Sequence, residues 1–309
     1  ILAVSRISGG DRCRSRCRNI SREGVFSDLV MKLLFFRSML FAAMLFAATV
    51  VGLAQGPTLP GSVAGNKSPS ASMPASKFDG EKLTFEGKAS KLKLSISIAD
   101  LTFSTAITPK GDQISIRSIA ESKGTMLKLF RYSFMQDYES VVDLSTFRIV
   151  KTVKKDVQKQ RVRDSEAEFD YQMKRVTYVE TDPKDVNRPP RRIASEISDP
   201  MNDMISAIYA MRLRELAVGD RFELSVSDSG LVYKVPVAVT KREQLGTAIG
   251  KFWCLRVEPE IFGPGRLIEQ KGKMVLWLTD DKLHTPVKAQ VDTQYGKVEI
   301  KLKAMTKPS

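Results

Sequence analysis

The only histidine of the 309-residue sequence, His284, lies within four residues of two carboxylates, Asp280 and Asp281. A histidine beside a carboxylate can act as an oriented general base, and paired acids can also hold a cation. This segment lies between two predicted strands and ends at Pro286, a context typical of a hairpin turn. We therefore predict a weak polar cluster at Asp280, Asp281 and His284, with a turn favoured over chemistry.

Few other side chains are spaced for chemistry. Glu258 and Glu260 alternate, so they share one face of a strand as a glycosidase carboxylate pair would, but alternation also places polar side chains on the solvent face of any strand. Cys254 lies in an apolar segment, which favours an inert thiol. The sequence contains no G-x-S-x-G, H-E-x-x-H, P-loop or G-x-G-x-x-G motif. We predict no catalytic residue, no metal site and no cofactor.

A methionine-rich stripe is the strongest candidate for a binding surface. Asp199-Pro200 supplies an N-cap and a first-turn proline, and apolar residues then recur at helical spacing. Flexible thioethers can form an adaptable wall against a ligand, although such stripes more often pack as core. The predicted ligand-facing residues are Met201, Met204, Ile208, Met211 and Trp277.

Alternating apolar and polar residues place these candidates among strands. In residues 91–104 the apolar positions are even-numbered up to Ile98 and odd-numbered from Leu101, which predicts a β-bulge near Ala99-Asp100. Comparable patterns, separated by Gly, Asp and Pro, predict further strands at 113–122, 129–143, 147–157, 167–172, 174–180, 221–227, 231–239, 252–258, 273–279, 286–292 and 297–303.

About a dozen strands with one interruption define the predicted fold class. We predict a mainly β protein, built on a large curved antiparallel sheet that is open and barrel-like. The single amphipathic helix, near 200–216, is expected to cover or plug the concave side of that sheet.

The first part of the sequence has the order of a secretory signal. Met31 is followed by a short basic region, an uncharged apolar run at 38–54 and small residues up to Ala54. We predict a signal peptide at 31–54, cleavage after Ala54 and a periplasmic or exported product, with residues 1–30 as upstream sequence that is not natively translated. The alternative is a membrane anchor formed by 38–54.

The rest of the chain divides into a spacer and one domain. Residues 55–76 are dominated by Gly, Pro, Ser and Ala, which predicts a flexible linker, and a single β-rich domain is predicted over 77–306. The whole sequence carries a formal charge of +14; from Gln55 onward 41 Lys and Arg face 32 Asp and Glu, a net charge of +9.

Basic residues concentrate on one pair of strands and one loop. Contact with anionic lipid or another envelope component would use such charges, whereas protection of exposed strand edges is the simpler explanation. Nucleic acid is not an expected partner, because export would remove the protein from it and no stacking aromatics alternate with the charges. The residues are Lys151, Lys154, Lys155, Lys159, Arg161, Arg163 and the loop 187–192.

Short motifs over about residues 80–305 resemble those of one family. They are Leu129–Tyr132, Asp137–Ser140, Asp199-Pro200 followed by Ile208–Arg212, Leu216–Asp220, Leu276–Asp281 with Thr285–Val287, and Tyr295–Val298. In these motifs the sequence resembles bacterial exported proteins of domain-of-unknown-function family 3108. The resemblance implies a signal peptide, an envelope location and a β-rich domain, and it carries no catalytic residue.

Three functions remain open at this point. We expect a non-enzymatic envelope protein that binds a hydrophobic or amphipathic ligand, such as lipid, or an envelope partner on its curved sheet. One alternative is a structural or assembly-scaffold protein of the envelope. The other is a hydrolase acting on cell-wall polymer, which would need His284 and its neighbouring carboxylates.

Overall fold

The computed structural model describes residues 75–91, 94–294 and 296–308. The predicted upstream segment, the signal peptide and nearly all of the predicted linker lie outside the described residues, so these boundaries stay predictions. A short 3₁₀ helix, Ala75–Phe78, precedes the first strand.

Fourteen strands account for most of the described chain. They are β1 (Lys82–Lys91), β2 (Leu94–Ile107), β3 (Gln113–Ser122), β4 (Phe134–Asp143), β5 (Ile149–Gln158), β6 (Arg161–Asp170), β7 (Arg175–Thr181), β8 (Arg191–Glu196), β9 (Arg221–Asp228), β10 (Leu231–Thr247), β11 (Gly250–Pro259), β12 (Gly272–Thr279), β13 (Pro286–Thr293) and β14 (Gly296–Thr306). Two α-helices are described, α1 (Gly124–Phe130) and α2 (Met204–Arg212).

These strands form one antiparallel sheet, in the order β8-β7-β6-β5-β4-β3-β2-β1-β14-β13-β12-β11-β10-β9. Most consecutive strands pair through short turns, while β1 pairs with β14 near the middle of the sheet. Because the first and last strands lie side by side, the two edge strands are β8 and β9, which follow one another in sequence. The predicted mainly β fold with one large curved, unclosed antiparallel sheet is confirmed, with fourteen strands rather than about a dozen.

The predicted β-bulge lies on β2. Gly87 of β1 is opposite Ala99, and the next residue, Lys88, is opposite Ser97, so Ile98 is the extra residue. This insertion explains the change of parity, because Ile98 and Leu101 are both buried although one is even-numbered and the other odd-numbered. The bulge therefore keeps both halves of the strand facing the core.

Burial alternates along the strands as the sequence pattern predicts. On β4, buried and partly exposed residues alternate without interruption from Phe134 to Asp143, and β3 and β13 follow the same pattern. β12 differs, because its six residues from Met274 to Thr279 are all buried. One face of the sheet thus forms the interior, and β12 is covered on both faces.

The space between the edge strands is occupied by the connection that follows β8. Asn202 forms a parallel bridge with Val226 of β9. The Asn202 amide donates to the Ser225 carbonyl at 3.0 Å, and the Ser227 amide donates to the Asn202 carbonyl at 2.7 Å. Backbone groups at the edge of β9 are therefore hydrogen-bonded by a loop instead of by another strand.

Three local predictions were wrong. The strand predicted at 129–143 begins at the end of α1 and continues as a strand only from Phe134, because residues 124–130 form about two turns of helix. The segment 91–104 is divided between the end of β1 and most of β2. The loop 187–192 ends inside β8, whose short and weakly apolar sequence gave no alternating signal.

The predicted helix is present but starts later than its sequence indicated. Asp203, and not Asp199, is the N-cap: its carboxylate accepts from the Ile205 and Ser206 amides, and the Ser206 hydroxyl accepts from the Asp203 amide. This reciprocal pair is a capping box. Asp199 instead forms an ion pair with Arg148 at the surface.

Candidate functional site

The helix α2 packs against inward-facing side chains of the sheet, and most of its residues are buried. Its N-terminal end is fixed through Asp203, whose buried carboxylate accepts a hydrogen bond from the Ser140 hydroxyl of β4. Burial raises the pKa of Asp203, while the hydrogen bonds from Ser140 and Ser206 oppose that shift. A carboxylate thus anchors one end of the helix inside the protein.

A buried ion pair fixes the other end of α2. Arg212 donates to both carboxylate oxygens of Glu81, at 2.6 and 2.7 Å, and its Nε donates to the Leu283 carbonyl at 3.1 Å. The Tyr209 hydroxyl donates to the same carboxylate at 3.2 Å. The Arg212 and Glu81 side chains are 0% and 1% exposed, so the helix end is held by a fully desolvated pair.

Lys77 reinforces this end from the 3₁₀ helix. Its ammonium group donates to the carbonyl oxygens of Arg212 and Lys282, both at 3.0 Å. A cation at the last carbonyls of a helix interacts favourably with the helix dipole. Burial, followed by the nearby Arg212 charge, lowers the pKa of Lys77 to about 8.

An apolar cavity of about 80 Å³ lies beside α2. Its walls come from α2 and from β1, β2 and β9 to β14. These strands are neighbours in the sheet, so the cavity lies in the interior against this half of the sheet. Most of the side chains around it are aliphatic, aromatic or thioether groups. They include Phe85, Leu101, Phe103, Met204, Ala207, Ile208, Met211, Leu224, Val226, Val235, Ile261, Met274, Leu276, Ala289 and Ile300.

The structure brings three of the five predicted ligand-facing residues to this cavity: Met204, Ile208 and Met211. Met201 lies one turn before the helix and belongs to a separate core cluster with Ile149 and neighbouring residues of β6 and β7. The spacing placed it on the same stripe because the helix was expected to begin at Asp199.

Trp277 lies on the outer face of β12, away from the cavity. Its indole N–H donates to Glu243 at 2.8 Å, and the ring is covered by the Lys288 ammonium at 4.7 Å and by Arg256. These cation–π contacts account for the burial of a tryptophan on an outward-facing position.

Polar side chains line the interior on the strands that do not border the cavity. Ser118 on β3, together with Gln136, Tyr138 and Ser140 on β4, is buried and faces inward. Burial, followed by the nearby charges of Asp203 and Asp228, raises the pKa of Tyr138 well above its ordinary value. These side chains form a polar patch on β3 and β4, although the same strands and β5 to β7 also bear buried apolar residues such as Ile116 and Val176.

The polar cluster predicted from sequence forms the β12–β13 turn. The Asp281 carboxylate accepts from the Leu283 amide at 2.9 Å, the His284 amide at 3.1 Å and the Thr279 hydroxyl at 2.9 Å. Asp280 accepts from Arg242 at 2.5 Å. The structure brings the three predicted residues into one turn, where both carboxylates take part in hydrogen bonds that hold it.

The imidazole of His284 is held in the same turn. Its Nδ1 lies 3.0 Å from the Thr279 carbonyl oxygen. A carbonyl only accepts, so the proton is on Nδ1. The residue is 9% exposed and adopts φ of 44°, a left-handed turn conformation. In this geometry the imidazole takes part in holding the turn.

The remaining candidates are also engaged. Although burial alone would raise the pKa of Glu258, hydrogen bonds from Lys273 and Thr240 lower it below its ordinary value. Glu260 pairs with Arg266 at 3.2 Å. Cys254 is fully buried, and burial raises the pKa of its thiol to about 12, as expected for an unreactive cysteine. Among the described residues, no group of three or more His, Cys, Asp and Glu is arranged to hold a metal ion.

A second cavity, of about 610 Å³, runs along the outer face of β5 to β7. It is bordered by Val153 and Val179 and by acidic side chains such as Glu166, which pairs with Lys151 at 2.6 Å. Paired charges and threonines make this a solvated groove, in contrast to the apolar interior.

The sheet topology and the helix inside it define a class of barrel-like β proteins with a helix-filled interior. Residues 84–303 match the family described as "Protein of unknown function (DUF3108)", and the chain belongs to that family. The resemblance seen in the sequence motifs is therefore confirmed. No curated protein matches the sequence significantly.

Solved structures of other sequences share parts of this architecture. A β-barrel-like protein of the domain of unknown function DUF1849 from Brucella abortus is 7% identical, with a TM-score of 0.52 over 75% of this chain and 98% of that one. A protein assigned as exported, with a YmcC-like fold, from Bacteroides fragilis is 10% identical, with a TM-score of 0.28 over 74% and 96% of the two chains. At these identities the first likeness shows the fold alone, and the second supports no conclusion about this chain.

Within the described part of the chain, neither helix has the length and apolar character needed to cross a membrane.

Proposed function

We propose that this protein is exported and binds an apolar or amphipathic small molecule, without catalysis, in the cavity beside α2. The observation that carries the proposal is the composition of the cavity wall, which is almost entirely apolar, whereas β3 and β4 carry a patch of buried polar side chains. Protein pockets for small molecules are mostly apolar, with a few polar groups that fix orientation.

The size of the cavity limits how a ligand would bind. About 80 Å³ is smaller than the ~150 Å³ engineered cavity that accepts benzene, so binding must displace side chains. Met204 and Met211 on α2 and Met274 on β12 supply that adaptability, since an unbranched thioether repacks with little loss. A longer acyl chain would require α2 itself to move.

A non-enzymatic role is supported by how the chemically active side chains are engaged. His284 and Asp281 hold a turn, and Cys254 is buried with a raised thiol pKa. A hydrolase would need one of these groups free to reach a substrate. An envelope scaffold without a small ligand is the remaining alternative, and it predicts one dominant protein partner on crosslinking in cells.

Export is proposed from the sequence before the folded domain, where a basic region, the apolar run 38–54 and small residues up to Ala54 follow Met31. N-terminal sequencing of the protein recovered from cells distinguishes cleavage after Ala54 from an anchor retained at 38–54.

Benzene is a suitable first probe of the cavity, because a ligand that binds the folded state raises the unfolding temperature. We expect stabilisation of roughly 1.4 kcal/mol at a concentration ten times its dissociation constant. Ala289→Phe places a ring in the cavity and should abolish the effect, with Ala207→Leu as a milder second variant. Ala304→Phe, on the exposed surface of β14, is the matched control.

An unchanged unfolding temperature of the wild-type protein in benzene would contradict the proposal, as would equal stabilisation of Ala289→Phe and Ala304→Phe. Mass spectrometry of solvent extracts from the purified protein then identifies the natural ligand. Its amount should fall in Ala289→Phe and stay unchanged in Ala304→Phe.

A further inference from the structure

Three connections lie at the same end of the sheet, because β3 to β8 pair in sequence order and alternate turns share an end. They are residues 123–133 with α1, the β5–β6 turn at 159–160, and residues 182–190. Hydrogen bonds join them: the Lys159 amide donates to the Ser133 carbonyl at 3.0 Å, and the Lys184 ammonium donates to the Gln160 carbonyl at 2.7 Å. We call this continuous surface the α1 rim.

Large apolar side chains project from the α1 rim. Leu127 and Leu129 on α1 are each 55% exposed, and Val186 is 89% exposed. Met126, which precedes Leu127 in α1, is buried and holds the helix against the sheet. A single exposed leucine needs no explanation, but two on one short helix and a valine on another connection give the α1 rim three projecting apolar side chains.

The net charge of the α1 rim is positive. The three connections contain six Lys and Arg and two Asp. One of the acids, Asp182, is already paired with Arg163. Lys128 and Arg131, which flank Leu129, form no ion pair among the described residues. Two of the six basic groups are already paired, Lys123 with Glu86 and Asp100 and Arg188 with Asp182. Lys128, Arg131, Lys159 and Lys184 are therefore the basic groups available to an outside partner.

We propose that the α1 rim docks the protein on an anionic phospholipid bilayer, with Leu127 and Leu129 entering the interface and the surrounding lysines and arginines contacting lipid phosphates. Apolar side chains that project between unpaired basic residues are the combination that binds such a surface: the apolar groups leave water, and the cations are drawn to the negative potential. A protein partner would be expected to present a shaped apolar pocket to the leucines, whereas a bilayer needs only that they project.

A tryptophan placed at the rim tests this in the full chain, even if the apolar run 38–54 also binds lipid. Leu129→Trp is compared with Met173→Trp, an even more exposed apolar position (72% against 55%) on the β6–β7 turn at the opposite end of the sheet. With vesicles of brominated phosphatidylglycerol, we expect quenching at residue 129 to exceed that at residue 173 by roughly twofold or more.

Charge reversal tests the electrostatic half of the proposal. Lys128→Glu with Arg131→Glu, in the Leu129→Trp background, should reduce binding through the rim at least about tenfold on anionic vesicles. Brominated phosphatidylcholine should quench residue 129 much less than phosphatidylglycerol. Equal quenching at 129 and 173 overturns the proposal and leaves the rim to a protein partner; equal quenching by the two lipids overturns the role of the basic residues.

Discussion

Individual carboxylates with a raised pKa make the stability of this protein depend on pH. Two carboxylates, Asp203 and Asp228, have raised pKa values, and the charge of Asp203 adds to the cost of ionising Asp228. Burial raises the pKa of Asp228 from 3.8 to about 6, while Lys154 opposes the shift. The folded state therefore holds a proton on Asp228 at a pH where the unfolded chain has lost it.

The raised pKa of Asp228 determines whether the free energy of unfolding rises or falls with pH. Between about pH 4 and pH 6 the folded state binds more protons than the unfolded state, so the Asp228 contribution to the free energy of unfolding falls as pH rises. We expect Asp228→Asn to be more stable than the wild type by ~1–2 kcal/mol at pH 7, and the difference to vanish near pH 4. Urea unfolding across this pH range measures it.

Asp185→Asn controls for the loss of one negative charge, because Asp185 is exposed on the loop after β7. A difference between wild type and Asp228→Asn that is the same at pH 4 and pH 7 would show that burial of Asp228 does not govern its ionisation.

Single residues differ in how well their local sequence predicts their position. The helical stripe placed Met204, Ile208 and Met211 on one surface, and all three lie at the cavity, since a period of 3.6 residues fixes which side chains share a face. Whether that surface binds a ligand stays a prediction. Glu81 and Arg212 were not identified, because a pair separated by 131 positions leaves no local pattern.

At the scale of elements, α2 is held at both ends by polar contacts, through Asp203 at its start and Arg212 at its end. A nine-residue helix has little stability of its own, so these anchors and the packing of its buried face keep it in the interior. Any movement of α2 toward a larger cavity would have to break one of them.

The Glu81–Arg212 pair can be tested by removing one partner and then both. Glu81→Leu leaves the Arg212 charge buried without compensation and should lower the free energy of unfolding by ~3–5 kcal/mol. Glu81→Leu combined with Arg212→Met removes the charge as well and should recover most of that loss. Denaturant unfolding of the single and double variants measures both.

The surface pair Glu260–Arg266 gives the comparison, since removing an exposed pair costs only ~0–1 kcal/mol. A double variant as unstable as Glu81→Leu alone would show that an uncompensated charge is not the cause of the loss.

The elements themselves differ in how far their sequence defines them. Long alternating segments such as β10 and β14 were predicted because their apolar residues repeat every second position. The edge strand β8 was missed because its residues alternate between exposed and partly exposed, so its sequence carries no apolar repeat. For α1, the apolar residues around Phe130 suit either a strand or a helix, and packing of Met126 selects the helix.

For the whole molecule, the feature that matters most is the seam, which is the place where the two edge strands, β8 and β9, meet. These consecutive strands do not pair with one another, and the turn after β9 instead packs against β7 and β8. A Cβ at Gly230 in that turn would lie 2.7 Å from the Tyr178 Cβ and 3.0 Å from the Ile193 Cβ. Only glycine permits this approach, so Gly230 helps to hold the two edges of the sheet together.

Gly111 provides a matched comparison for Gly230. The two have φ of 78° and 79°, but a Cβ at Gly111 meets nothing within 4 Å. Alanine at either position should cost ~1–2 kcal/mol for its backbone conformation. We expect Gly230→Ala to cost a further ~1–3 kcal/mol, because the turn must move away from Tyr178. Thermal or urea unfolding compares them, and equal losses would show that the seam does not depend on this contact.

The sequence by itself determined the fold class, because alternation with period 2 and one segment with period 3.6 are local patterns that directly select strands and a helix. It also determined the family, through motifs spread over the folded part. It did not determine that the first and last strands pair, that β8 and β9 form a seam, or that α2 is anchored by Glu81. These features depend on contacts between residues far apart in sequence, and such contacts exist only once the chain has packed around a common interior.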